Sequence, residues 1–186
     1  MSRTKQKLLS LCALTCAALW SESALANYWA VGVDGEYLRT FPADDDVGDP
    51  DGDGISQPLD GENGAAVHAR FGYQLNLLIL YLRPEIGGGA YFYGSSDDST
   101  RRTEWRAYGG ARAGLNTGLS PGVYAHLGHG WYGKDHDETG FTGDVGLLLD
   151  LSIMSYFNVG LHGGLVFNPD PVPLWLNGGA HIEATF

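Results

Sequence analysis

The run Leu174-Trp-Leu-Asn-Gly-Gly-Ala-His-Ile-Glu-Ala-Thr-Phe186 alternates in character from end to end. Its even-numbered members (Leu174, Leu176, Gly178, Ala180, Ile182, Ala184, Phe186) are apolar, and the odd-numbered ones (Trp175, Asn177, Gly179, His181, Glu183, Thr185) are mostly polar or small. A period of two places the two sets on opposite faces of a β-strand. Which face meets water is decided by the rest of the chain.

Seven further segments alternate in the same way, each near the ~9–11 residues that a tilted membrane-spanning strand requires. They run Asn27–Leu38, Ala65–Leu75, Leu78–Tyr93, Thr103–Leu115, Val123–Tyr132, Phe141–Leu151 and Tyr156–Phe167. On one face lie sets such as Trp29, Val31, Val33 and Tyr37, or Val145, Leu147 and Leu149, with only Arg39 and His129 as ionisable members. The opposite face collects Asp34, Glu36, Arg70, Arg83, Glu85, Arg106, Arg112, Asp144, Asp150 and Glu183. A basic residue at mid-bilayer on the outer face costs about 2–4 kcal/mol, so such sorting is what a lipid-facing surface demands. A water-soluble barrel would show the reverse, apolar within and polar outside. The sequence therefore predicts an all-β, eight-stranded antiparallel up-and-down transmembrane barrel with ten charges in its lumen.

The connections alternate in length. Short ones are expected near Asn76, at Asn116 to Gly122 and at Ser152 to Ser155, and longer ones at Phe41 to Gly64, Gly94 to Arg102, Gly133 to Gly140 and Asn168 to Pro173. Both termini then share the end with the short turns, and four loops face outward. Aromatics near the strand ends are expected to form two girdles, with Trp29, Phe71, Tyr73, Phe157 and Phe186 below and Tyr37, Phe92, Trp105, Trp131, Phe141 and Phe167 above. Pro84 falls inside the third strand, where its missing N–H predicts a bulge eased by Gly87-Gly88-Gly89.

Residues 1–26 read as an export signal: Arg3, Lys5 and Lys7, an apolar stretch from Leu8 to Leu19, then the small-x-small site Ala24-Leu25-Ala26. Residues 27–186 would form the mature barrel. Both cysteines, Cys12 and Cys16, lie in the segment to be removed, so no disulfide, thiol nucleophile or cysteine metal site is expected. Removing Arg3, Lys5, Lys7 and Glu22 from 11 basic and 22 acidic residues leaves 8 and 21, a net charge of −13. That balance argues against nucleic acid, whose phosphates require Lys and Arg. No apolar run approaches the ~20 residues of a spanning helix.

The signal, the eight alternating strands, the turn–loop asymmetry and the terminal aromatic Phe186 resemble the small OmpA/OmpX-type outer-membrane barrels. The resemblance implies a location in the outer membrane of a Gram-negative cell, and lipid and lipopolysaccharide as surroundings. It further implies insertion by the barrel-assembly machinery with Phe186 in the assembly signal, and a monomer. With the last strand ending at Phe186, no wall-anchoring role is expected. The resemblance carries no catalytic signature. The function it implies is a non-enzymatic surface barrel contributing to envelope integrity or external contacts through its loops. The alternatives are a narrow porin-like channel and a lipid A-modifying enzyme.

Three groups of residues could carry chemistry. Asp49, Asp51, Asp53 and Asp60 in the first outer loop sit at positions 1, 3, 5 and 12 of a calcium-loop pattern, with Gly54 at position 6. Position 12 is Asp rather than Glu and no helices flank the loop, so weak calcium binding competes with a plain solvated acidic loop. No cofactor is expected other than calcium at this loop. The lumen charges Asp34, Glu36, Arg70, Arg83, Glu85, Arg106, Arg112, Asp144 and Glu183 suit either a pore or a salt-bridged plug. Burial favours the plug, since buried charges must be paired. The six histidines show no metal-protease spacing, and a structural or hydrogen-bonding role is expected for each. For an enzyme, Ser95, Ser96, Asp97, Asp98, Ser99 and His136 would be candidates, but they are ordinary loop residues.

Overall fold

The computed structural model describes residues 27–40, 63–94, 102–132, 138–167 and 174–186. Eight strands follow in order: β1 (Tyr28–Thr40), β2 (Asn63–Leu77), β3 (Leu80–Gly94), β4 (Arg102–Leu115), β5 (Leu119–Tyr132), β6 (Glu138–Met154), β7 (Phe157–Phe167) and β8 (Trp175–Thr185). Each pairs antiparallel with its chain neighbours, and β1 pairs with β8, so the sheet closes on itself. Closure removes both sheet edges and gives every strand two hydrogen-bonded partners. At the seam, Trp29 and Phe186 exchange backbone hydrogen bonds of 2.9 and 3.0 Å, so Phe186 extends the closing ladder by one residue beyond β8. Its ring is exposed.

Burial follows the two-residue period. In β8 the set Trp175, Asn177, His181, Glu183 and Thr185 is buried, while Leu174, Leu176, Ala180, Ile182 and Phe186 are exposed. All ten charges that the alternation assigns to one face are buried in the interior, and large apolar side chains such as Val33, Val67, Ile86, Val123, Leu147 and Leu161 cover the outside. The barrel is therefore turned inside out relative to a soluble one, with polar groups at its centre and hydrocarbon on its surface. Aromatics gather near both rims. Trp29 stacks on Phe71 at 4.9 Å and meets Tyr73 at 4.6 Å near the turn end, and Trp105 pairs across strands with Trp131 near the loop end.

Four details depart from the sequence reading. The first turn is Leu78-Ile79, not Asn76, which lies within β2 opposite Tyr81. Leu78 has φ 61°, the left-handed value that tight hairpins require at a central residue and that a side chain adopts at a cost. Second, Pro84 makes no bulge. Gly72 faces Glu85 and Leu75 faces Leu82, the same register on both sides of the proline, and Pro84 itself stays opposite Ala111. A residue in an antiparallel ladder directs its N–H to one neighbour only, so a proline there loses one bond without inserting a residue. Third, β5 begins at Leu119. Pro121 and Gly122, read from sequence as turn formers, pair with Leu149 and Leu148 because β6 is long enough to partner them. Fourth, the third turn is Ser155-Tyr156, and the register shift in the barrel lies just before it, between Ser152 and Met154. The four long connections, and with them the Asp49–Asp60 pattern, lie outside the described residues, as do residues 1–26.

Glycine on the inner face is a matter of volume. A Cβ on Gly110 would lie 2.1 Å from the Ala125 carbonyl and 2.5 Å from the His126 ring, whereas one on the outward-facing Gly178 would meet no atom within 4 Å. Gly110→Val should therefore abolish the fast-migrating compact form on unboiled detergent gels, and Gly178→Ala should retain it. Equal migration of the two variants would contradict the packed interior.

Candidate functional site in the barrel lumen

The site is the lumen itself, and its layout follows from cross-strand pairing. Bulky polar residues face glycines on the neighbouring strands: Arg70 sits between Gly32 and Gly87, Glu85 between Gly72 and Gly110, and His181 opposite Gly160. Side chains from all eight strands reach the axis in this way.

Three carboxylates act as hubs. Glu85 accepts from Arg112 Nε at 2.7 Å, lies 2.7 Å from His126 Nε2, and stands 3.6 Å from the Nε atoms of Arg70 and Arg83. Asp34 accepts from Arg70 through one oxygen and from Arg112 Nη2 at 3.4 Å through the other. Glu183 joins Arg70 (2.9 Å) to Arg83 and also accepts from Asn158 at 3.2 Å. These groups are almost wholly buried, with Arg83 and Asp34 each 1 % exposed. In a low-dielectric interior an ion left without a partner is costly, and charged hydrogen bonds in several directions offset that desolvation.

The histidines knit the remaining acids into the same system. His126 lies between Asp144 (Nδ1, 2.6 Å) and Glu85 (Nε2, 2.7 Å). Only a ring carrying protons on both nitrogens donates to both carboxylates. Glu36 receives His162 Nε2 at 2.8 Å and His68 Nε2 at 3.2 Å. Nearer the loop end, Glu104 holds Arg106 through two contacts of 2.6 and 3.1 Å, and the guanidinium lies 4.0 Å from the centre of the Tyr91 ring. Beside this layer Leu38, Ala66, Tyr91, Val166 and Trp175 form the apolar cluster of the interior.

A search of family models finds no match, and neither does a search of curated proteins. Solved structures do match. Neisserial surface protein A, NspA, aligns over 85 % of this chain and 97 % of its own at 13 % identity, with a TM-score of 0.62. Ail, the attachment invasion locus protein of Yersinia pestis, solved with the heparin analogue sucrose octasulfate, aligns over 86 % of this chain and 97 % of its own at 9 % identity and a TM-score of 0.47. Both are eight-stranded outer-membrane barrels. The chain has the OmpA/OmpX-type barrel fold. The likeness to NspA carries that statement and extends to the fold alone.

Within this barrel fold the nine network residues singled out from sequence all project inward. The structure divides them into a continuous group (Asp34, Glu36, Arg70, Arg83, Glu85, Arg112, Asp144, Glu183, bridged by His126 and His162) and Arg106, which Glu104 holds. The sequence reading missed Glu104, although its place one residue before the outward Trp105 is the signal that puts it inside; alternation does place His68, His126, His162 and His181 inside. Alternation could not show which groups touch, because those contacts join residues up to 126 positions apart. Asp49, Asp51, Asp53, Asp60, Ser95, Ser96, Asp97, Asp98, Ser99 and His136 lie outside the described residues.

Removing one partner from a buried ionic group strands the others. Arg83→Ala should lower unfolding free energy by about 3–5 kcal/mol, the range for breaking a buried pair. Arg39→Ala, on the exposed face, should stay within about 0.5 kcal/mol. Urea titration of the refolded barrel in lipid vesicles measures both, and similar losses would refute the assignment of Arg83 to the network.

Proposed function

We propose that this protein is a non-enzymatic barrel of the outer membrane whose lumen is a sealed ionic plug and whose external contacts are made by its loops. The observation that carries the reading is the filling of the interior by paired charges from six strands, joined by inward histidines of β5 and β7. An eight-stranded barrel has room for side chains and little else. The outward hydrocarbon surface supports residence in a bilayer, surrounded by lipid and lipopolysaccharide. Export through the residue 1–26 signal, insertion by the barrel-assembly machinery with Phe186 in the recognition segment, and a monomeric state complete the proposal.

With its centre closed and its wall in lipid, a barrel of this kind meets the exterior through the four connections at the loop end. Envelope integrity and attachment to external partners are the roles that such a platform supports. The likeness to NspA, a surface protein by name, agrees with that role. A passive channel is the reading to be separated from it. Planar-bilayer recordings on the refolded protein should show no discrete conductance steps. Steps that disappear in Arg83→Ala or Glu85→Gln would establish the channel in its place.

The acidic first loop adds a second element to the proposal. Asp49, Asp51, Asp53 and Asp60 would take calcium weakly, around the ~10⁻⁴–10⁻³ M typical of extracellular modules, because position 12 is Asp rather than the bidentate Glu. Calorimetric titration should give heat at millimolar calcium for the wild type, and none for Asp51→Asn combined with Asp53→Asn. Indistinguishable traces would reduce the loop to a solvated acidic segment.

A further inference from the structure

Three donor atoms converge at one point of the lumen wall. Asp34 Oδ1 lies 3.9 Å from His162 Nδ1 and 3.8 Å from His181 Nδ1, and the two Nδ1 atoms are 3.3 Å apart. We propose that Asp34, His162 and His181 bind one divalent transition-metal ion of the zinc class inside the barrel.

The protonation pattern argues for a cation there. His162 Nε2 is 2.8 Å from Glu36 Oε1, and His181 Nε2 is 2.7 Å from Asp150 Oδ1. An ionised carboxylate only accepts, so each Nε2 must carry a proton, and a neutral ring then has a bare lone pair on Nδ1. Two such nitrogens then lie 3.3 Å apart, with one carboxylate oxygen 3.8–3.9 Å from each. A cation between them removes that repulsion. The Glu36–His162 and Asp150–His181 contacts are also the outer-sphere arrangement that fixes ring orientation and tautomer at histidine metal sites.

Spacing and charge agree. Donors about 2.0–2.1 Å from a tetrahedral ion stand about 3.3 Å from one another, which the Nδ1 pair meets and Asp34 approaches. Arg70 holds the Asp34 carboxylate through Oδ2, and Arg112 Nη2 lies 3.4 Å from Oδ1 itself. Among the described buried side chains, seven carboxylates (Asp34, Glu36, Glu85, Glu104, Asp144, Asp150, Glu183) face four guanidiniums (Arg70, Arg83, Arg106, Arg112). With the doubly protonated His126 counted, the carboxylates still outnumber the guanidiniums, a balance that favours an added cation. Two imidazoles and one carboxylate select zinc, cobalt, nickel or copper over calcium and magnesium. The competing occupant is a proton shared between the rings.

The test uses protein purified from membranes and refolded in detergent with a small excess of cobalt or zinc, then desalted. Expected are about one metal per chain by mass spectrometry and, for cobalt, the visible absorption of a low-symmetry nitrogen–oxygen site. Both signals should fall at least tenfold in His162→Ala and in His181→Ala and persist in His129→Ala, whose ring lies outside. Heat-modified gel migration identifies which variants are folded. Should either inner variant fail to fold, the wild type decides alone, by nitrogen NMR of its histidine rings with and without zinc. Metal-shifted Nδ1 signals support the site. Folded wild-type protein that retains no metal and shows imidazolium signals overturns it, as does equal retention by the inner-histidine variants.

Discussion

Eight strands enclose an interior scarcely wider than its own side chains, and every bulky group inside this barrel is placed under that limit. The solution is written across the strand pairs. Tyr108 projects between Gly87 and Gly128, Tyr124 opposite Gly146, and Arg106 between Gly89 and Gly130. A Cβ on Gly87 would lie 2.5 Å from the Tyr108 ring, and one on Gly146 2.6 Å from the Tyr124 hydroxyl. The glycines leave vacancies on the inner wall that single large side chains then occupy.

That crowding decides the electrostatics. Packed shoulder to shoulder and away from water, the charged groups have only one another as solvent. Glu85 therefore serves Arg112 and His126 directly, with Arg70 and Arg83 close by, and Glu183 links Arg70 to Arg83. Coupling of this kind makes the interior rigid, since moving one ion leaves several others unmatched.

The departures from the sequence reading share one origin. Pro84, Pro121 and Gly122 are weak strand residues by local preference, yet each lies in a strand because a partner strand runs alongside and supplies the register. Tertiary pairing overrides propensity where only one hydrogen bond is at stake. Leu78 shows the same override in a turn: a bulky residue adopts a left-handed backbone because two strands of fixed register must be joined by two residues. In each position the local preference is outweighed by the pairing of neighbouring strands.

The sequence by itself determined the number of strands, the antiparallel up-and-down order, and which face of each strand turns inward. Those properties depend on periodicity, and a slip of one residue in a strand would turn that strand's charges to the outer face. It also contained the pairing of large groups with glycines, though in a form legible only once the register is known. Tertiary structure alone decided the contacts. Asp34, His162 and His181 are scattered over almost the whole length of the barrel, and they meet because β1 closes on β8 and β8 pairs with β7. Closure sets a shear between neighbouring strands, and that shear brings particular side chains to a common height. No local pattern encodes it, because it is a property of the ring of strands as a whole.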